Sequence, residues 1–372
     1  SQRLITAPFS PLGHDTHVST TNATCMALPT DQNVARERNQ RMQQIQVKDL
    51  VTGQETSLLA ANQEQVMHPI YSYAAITDAV EGLILVDVDT LTDGDPRNNK
   101  LERALTWNPG DVLKGARHIT LAGHMAYIAA DAGLVVVDLD DPLKPRLAAT
   151  VPLPDVRASA LQFRYLWVTD ARGLEVLDVT QLDKPTLVAG ATIPLADARR
   201  VYVARTYAYV AAGRDGLVIV DVTRPEQPHV YQTFTAGGAL NDAQDVIVGS
   251  TNASLFAYVA DGRNGLKVLQ LTSPESQPNF YGFSPAPKPE LIAWAKTPSP
   301  ALALSKGLDR DRAVDETGHQ IAVFGRLGSR PFTRAEMERF FLDRWGRPYR
   351  VSDKVDATAW RGPPPGIRAA VP

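Results

Sequence analysis

The chain has 372 residues, 44% of them hydrophobic, with 38 Lys and Arg against 41 Asp and Glu and a formal net charge of −3. That size and apolar content suit one large repeat domain or two ordinary ones, and the near balance of charge excludes a global electrostatic case for nucleic acid or a membrane surface. The single cysteine, Cys25, excludes an intrachain disulfide, a Cys-based zinc site and a Cys-x-x-Cys-His haem attachment. No apolar run reaches the roughly 18 residues that a spanning helix needs.

Residues 1–40 are polar and irregular and read as an extended N-terminal arm. His14 and His17 lie in it, near Cys25 and Met26. Side chains of these types can ligate a haem iron or zinc on a neighbouring chain, against the plainer reading of exposed polar residues. Residues 43–60, QQIQVKDLVTGQETSLLA, predict a hairpin around Thr52 and Gly53.

One phrase then recurs. GLILVDV, GLVVVDL, GLEVLDV, GLVIVDV and GLKVLQL start at Gly82, Gly133, Gly173, Gly216 and Gly265. Short aromatic and β-branched runs precede each glycine: YSYAAIT, MAYIAA, YLWVT, YAYVAA and FAYVA. Both runs are strand-like and too short for helices, and their continuous apolar character suits strands buried on both faces. The links between them, such as DAG, DARG and GRDG, are tight turns. Pro-rich turns such as TRPEQP lead on to RLAATVPL and TLVAGATIPL. Ahead of the aromatic runs stand RHITLAG, RASALQF, RRVYVAR and QDVIVGS. Each unit thus holds four up-and-down strands at a period of about 40–50 residues, the pattern of a propeller blade.

The loop DTLTDGDPRNNK at 89–100 offers Asp89, Asp93, Asp95 and Asn98, oxygen ligands suited to Ca2+, although plain turn chemistry accounts for them as well. After five plain units, Leu291–Lys296, Ala301–Ser305 and Gly318–Arg326 read as the first three strands of a degenerate sixth. The 43–60 hairpin either completes that sixth blade or belongs to a seventh. Thr333 and Glu336 form a capping-box pattern, and Met337, Phe340, Phe341 and Trp345 fall on one stripe of a helix spanning 333–346. Residues 347–372 form a Pro-rich tail with Trp360 as an anchor.

The stretch AYVAAGRDGLVIVDVTRPEQP at 208–228 resembles the bacterial LVIVD repeat, and the likeness runs over roughly residues 68–284. The resemblance implies a β-propeller, exported or at the cell surface and usually without assigned catalysis. The expected fold is therefore an all-β, six-bladed β-propeller over residues 41–332, seven blades being the alternative, with the arm, the helix and the tail outside it.

Innermost blade strands open with Arg117, Arg157, Arg199 and Gln244, part of a ring at one mouth of the central channel. The hairpin aspartates Asp78, Asp131, Asp170, Asp215 and Asp261 are expected at the same mouth. Pairing of these arginines with them between blades is the structural reading; an anionic ligand held by the ring is the functional one. Asp87, Asp138, Asp178 and Asp221 recur after the buried strand as turn caps. A nucleophile elbow, P-loop, dinucleotide fingerprint and zinc-protease motif are all missing from the sequence.

The sequence therefore reads as a non-enzymatic interaction or scaffold module in an extracytoplasmic assembly. The alternatives are an accessory subunit of a multihaem redox complex and a channel-mouth enzyme or binder for an anion. No cofactor is expected beyond Ca2+ at the 89–98 loop or haem carried by a partner chain. Protein partners are expected on the terminal extensions, through His14, His17, Trp345 and Trp360.

Overall fold

A computed structural model describes residues 18–29, 46–48, 55–57, 68–88, 101–251, 254–272 and 284–305, with 326–327, 330–331, 335 and 345–346. The chain divides into two compact units, Asp15–Ser305 and a second made of Ser1–His14 with Lys306–Pro372. In the second unit, Arg326–Leu327 pairs antiparallel with Arg330–Pro331.

The larger unit is all-β and holds five radially repeated antiparallel sheets, a β-propeller. The first strand is β1 (Ala23–Ala27). Next come β2 (Gln46–Lys48) and β3 (Glu55–Ser57), which pair with each other as the predicted hairpin. Among the described residues they form a two-stranded sheet of their own. Strands β4 (Tyr73–Asp78), β5 (Gly82–Asp87) and β6 (Glu102–Trp107) complete the first sheet in the order β1-β4-β5-β6. Residues 1–40 were expected to lie apart as an arm, yet Ala23–Ala27 within them is the innermost strand of this sheet. Thr24 explains the seat: its hydroxyl lies 3.0 Å from the Thr77 hydroxyl and donates to the Ala116 carbonyl at 2.8 Å, joining the first sheet to the second.

The second sheet is β7 (His118–Ala122), β8 (Met125–Ala130), β9 (Gly133–Asp138) and β10 (Arg146–Val151). The third is β11 (Ala158–Gln162), β12 (Tyr165–Asp170), β13 (Gly173–Asp178) and an outer strand split into β14 (Thr186–Leu187) and β15 (Ile193–Pro194). The fourth is β16 (Arg200–Ala204), β17 (Tyr207–Ala211), β18 (Leu217–Asp221) and β19 (His229–Phe234). The fifth is β20 (Asp245–Thr251), β21 (Ser254–Ala260), β22 (Leu266–Thr272) and β23 (Glu290–Ala295). The innermost strands β1, β7, β11, β16 and β20 neighbour one another in that order.

Burial follows the repeat. In β18, Leu217 and Ile219 point into one core, shared with the fifth sheet, while Val218 and Val220 point into another, shared with the third. A strand packed on both faces must be apolar at every position, which is why the alternation typical of half-exposed strands is missing. Separate cores likewise join the first sheet to the second and the second to the third. The largest buried side chains, Trp167, Tyr127 and Tyr209, sit on the second strands of their sheets.

One expectation shifts by a strand. Leu291–Lys296 is not the start of a sixth blade: Glu290–Ala295 is the outermost strand of the fifth sheet, paired with β22. The long connection at 273–289 delays this strand past the spacing seen elsewhere. The following bridge, Gly262 to Ala301, repeats the Gly213 to Ala243 bridge that precedes β20. Ala301 thus takes the place, after the fifth sheet, that Ala243 holds ahead of the fifth sheet's innermost strand. The third strand expected at 318–326 and the 333–346 helix lie almost wholly outside the described residues.

Candidate functional site

The repeat arginines do come together, through partners that differ from the expected ones. Two residues before three of the four strand-opening positions stands an aspartate: Asp155 before Arg157, Asp197 before Arg199 and Asp242 before Gln244. Residues two apart in an extended chain share a side. Arg157 Nε donates to Asp155 at 2.9 Å and Arg199 Nε to Asp197 at 2.9 Å, both within one sheet. The other arm of each guanidinium crosses to the next sheet. Arg117 Nη1 reaches Asp155 at 2.7 Å, Arg157 Nη1 reaches Asp197 at 3.1 Å and Arg199 Nη1 reaches Asp242 at 3.1 Å. Gln244 Nε2 closes the series on Asp242 at 2.7 Å. At the other end Gly115 replaces the aspartate; its carbonyl accepts from Arg117 Nε at 3.0 Å, and Asp131 takes the Nη2 donor.

The result is a ladder of alternating charge, Asp131, Arg117, Asp155, Arg157, Asp197, Arg199, Asp242, running across four sheets. Each arginine is about one-quarter to one-third exposed at its side chain, so its bonds are partly shielded from water. The Arg199 guanidinium is held more firmly protonated, by Asp197 above all and against the opposing effect of burial.

Of the hairpin aspartates, Asp131 pairs with a repeat arginine, but with Arg117 of its own sheet and not between blades. Others serve the backbone instead. Fully buried Asp261 accepts from the Asn241 and Asp242 N–H groups, and Asp78 accepts from Asn22, Val80 and Glu81. Asp170 caps its own turn through the Arg172 and Gly173 N–H groups and pairs with Arg172. Their buried seats leave them short of the ladder. The recurrent Asp138, Asp178 and Asp221 each accept from the N–H two residues on, at 2.7–2.9 Å, and so are turn caps. Thr180, through its hydroxyl and its backbone N–H, holds the Asp178 carboxyl below its ordinary value.

Beside the ladder, between the fourth and fifth sheets, opens a cavity of about 630 Å3 lined in part by Asp197, Arg199, Arg214, Asp215, Asn241 and Asp242. Three carboxylates face two guanidiniums there. At the start of β7, His118 Nδ1 accepts from the Ser159 N–H at 3.2 Å, and burial, with the nearby Arg200 charge, holds its imidazole well below the ordinary value. Asp245 accepts from the Leu304 N–H at 2.8 Å, and its carboxyl is raised by burial.

The remaining sequence candidates lie elsewhere. Trp345 is 62% exposed, in the smaller unit. Asp89, Asp93, Asp95, Asn98, His14, His17 and Trp360 lie outside the described residues. The ladder aspartates were the residues that sequence reasoning passed over. Their signal was available in Asp-Val-Arg, Asp-Ala-Arg and Asp-Ala-Gln at 155–157, 197–199 and 242–244.

Residues 115–152, 196–235 and 242–283 match the LVIVD repeat family. No curated protein matches the chain. Among solved structures it is similar to a candidate 6-phosphogluconolactonase from Bacteroides uniformis, with 12% identity, a TM-score of 0.47 and coverage of 61% of this chain and 69% of that one. It is also similar to a chain of a nidogen/laminin complex, with 12% identity, a TM-score of 0.36 and coverage of 55% and 73%. A third likeness is to the extracellular domain of a candidate hybrid two-component system protein from B. thetaiotaomicron, with 16% identity, a TM-score of 0.38 and coverage of 54% and 25%.

Proposed function

Because three stretches of the chain are LVIVD repeats, we propose that it is a non-catalytic interaction module, a rigid propeller platform in an extracytoplasmic assembly. The observation that carries this reading is the ladder. Arg117, Arg157 and Arg199 each hold two carboxylates, so the forks that would grip an anionic substrate are already committed. An anion would have to displace carboxylates such as Asp155 and Asp197, each of which bridges two arginines, and so would break the series on both sides of its seat. What the ladder does supply is a stiff rim, and a preorganised surface lowers the ordering cost of binding a partner.

Support for a partner comes from the opposite end of the blades. Phe163, in the turn between β11 and β12, is 90% exposed and sits at φ 54°, a conformation that L side chains avoid. The same φ recurs at Gly123 and Arg205 in the equivalent turns, so the backbone belongs to the hairpin; what is particular to this turn is an exposed aromatic side chain, which suits an interface anchor. The extracytoplasmic setting is supported by the repeat resemblance. No helix among the described residues is long and apolar enough to cross a membrane.

A thermal-shift screen of phosphorylated sugars, dicarboxylates and nucleotides tests the non-catalytic reading. The expected result is no melting-temperature change beyond that of an ionic-strength control. A saturable rise in the wild type that vanishes in Arg157→Ala would overturn it in favour of an anion site.

A further inference from the structure

At the seam between the first and second sheets, on the blade ends away from the ladder, two histidines meet. His68 caps the short 3-10 turn Pro69–Ser72 that leads into β4, and His124 lies in the turn between β7 and β8. Their rings stack at 5.7 Å between centroids, with planes 19° apart. Asp140, just past β9, brings Oδ1 to 3.3 Å from His68 Nε2, and Asp138 Oδ1 lies 3.9 Å from His124 Nε2. One ligand atom from each of His68, His124 and Asp140 falls within 4.8 Å of the others.

The repeat does not explain this cluster. The N–H after β9 donates to the His124 carbonyl, as the N–H groups after β13 and β18 donate to those of Arg164 and Thr206. The equivalent turn positions thus carry arginine and threonine, and the backbone has no need of imidazole there. His68 lies outside the repeated phrase altogether. Two imidazoles packed together beside two carboxylates, from elements 56 residues apart, form a donor set that the fold itself does not require.

We propose that His68, His124 and Asp140 bind a divalent first-row transition cation and clip the first sheet to the second. Imidazole nitrogen with one or two carboxylate oxygens is the donor chemistry of Zn2+ and its neighbours, whereas Ca2+ and Mg2+ take oxygen alone. Zinc ligands at about 2.0–2.1 Å from the metal stand about 3.4 Å apart in a tetrahedron, so the His68–Asp140 separation already fits. His124 must swing inward, which its exposed turn allows, its side chain being 40% exposed. The Ile70 N–H donates to His68 Nδ1 at 3.2 Å, so the neutral ring carries its proton on Nε2 and donates to Asp140. Cation binding at Nε2 moves that proton to Nδ1 and releases the Ile70 bond, and Asp140 turns from acceptor to ligand. Protein groups then supply three ligands, and water or a partner side chain completes the shell.

The test uses the full chain, stripped with EDTA and desalted, titrated with ZnCl2 by calorimetry and followed by melting temperature. One Zn2+ per chain and a melting temperature that rises with zinc are expected. Both should be lost in His124→Ala. Asp140→Asn, on an exposed loop and so safe for folding, should weaken binding by roughly tenfold or more, no less than the loss of an outer hydrogen-bond partner costs a metal site. Absence of binding at millimolar zinc overturns the proposal. So does binding of equal strength in wild type, His124→Ala and Asp140→Asn, which would place the zinc elsewhere, for example on His14, His17 or Cys25.

Discussion

Replacing Gly173 by alanine is expected to lower the unfolding free energy by about 3 kcal/mol. Gly173 opens β13 at φ +136°, and a Cβ there would meet the Ile193 carbonyl oxygen at 2.1 Å and the Leu195 nitrogen at 2.5 Å. Both are backbone atoms. They are fixed because Leu195 N–H bonds to the Arg172 carbonyl at 3.2 Å while Ile193 and Pro194 pair with Leu174 and Gly173. No side chain can swing aside. The left-handed backbone costs about 1–2 kcal/mol and the overpacking about 1–3 kcal/mol more. Gly190→Ala serves as the control: its φ of +77° is also positive, but a Cβ there meets nothing within 4 Å. Only the smaller, conformational part of the loss should appear. Urea unfolding of both variants checks this, and equal losses would show that the close approach of β15 to β13 has no energetic weight.

Asp197→Ala is the second large effect. Asp197 accepts from Arg157 Nη1 at 3.1 Å and from Arg199 through Nε at 2.9 Å and Nη2 at 2.7 Å. Its loss leaves two guanidiniums, each less than one-third exposed, with one carboxylate apiece. Hydrogen bonds between charged groups contribute about 1.5–3 kcal/mol when shielded and much less when open to water, so about 2 kcal/mol is expected. The loss should shrink as salt rises. Asp141→Ala breaks an open pair with Lys144, the two side chains being 54% and 84% exposed, and a 3.3 Å bond from the Leu143 N–H, and should cost clearly less, about 1 kcal/mol or below. Asp197→Ala and Asp242→Ala should also be non-additive, since both act on Arg199, with a coupling of about 0.5 kcal/mol or more. Additive losses, or a loss no larger than that of Asp141→Ala, would mean that the ladder is a set of independent surface pairs.

What the sequence revealed follows from what repeats. The second and third strands of each sheet were legible because both faces of each are buried, which demands an apolar run at every repeat. Ala23–Ala27 was not, since ATCMA stands far from the strand it joins and shares no phrase with β7, β11 or β16. The outer strand of the fifth sheet was placed in the wrong blade because residues 273–289 break the spacing. The mouth arginines were legible by position, but their partners were sought in the hairpin turns. Topology does bring the hairpins to the same mouth; reach decides the pairing, and an aspartate two residues back on the same side is closer. The His68 and His124 meeting had no sequence signal, because the two come from non-equivalent places.

The ladder also has a direction. Each of the two Asp-x-Arg units points its Nε arm at its own aspartate and its Nη1 arm at the next one along the chain, so both carry a plug and a socket. A copied repeat inserted between two others would join the series without any change to its neighbours. The two ends are written differently: Gly115 stands where the first aspartate would be, and Gln244 where a fourth arginine would be. One step further, with Ala301 in the place of Ala243, the corresponding pair is Pro300 and Leu302, and the charge is gone. Among the described residues, the electrostatic stitching has a first and a last stitch, both spelled out in a tripeptide.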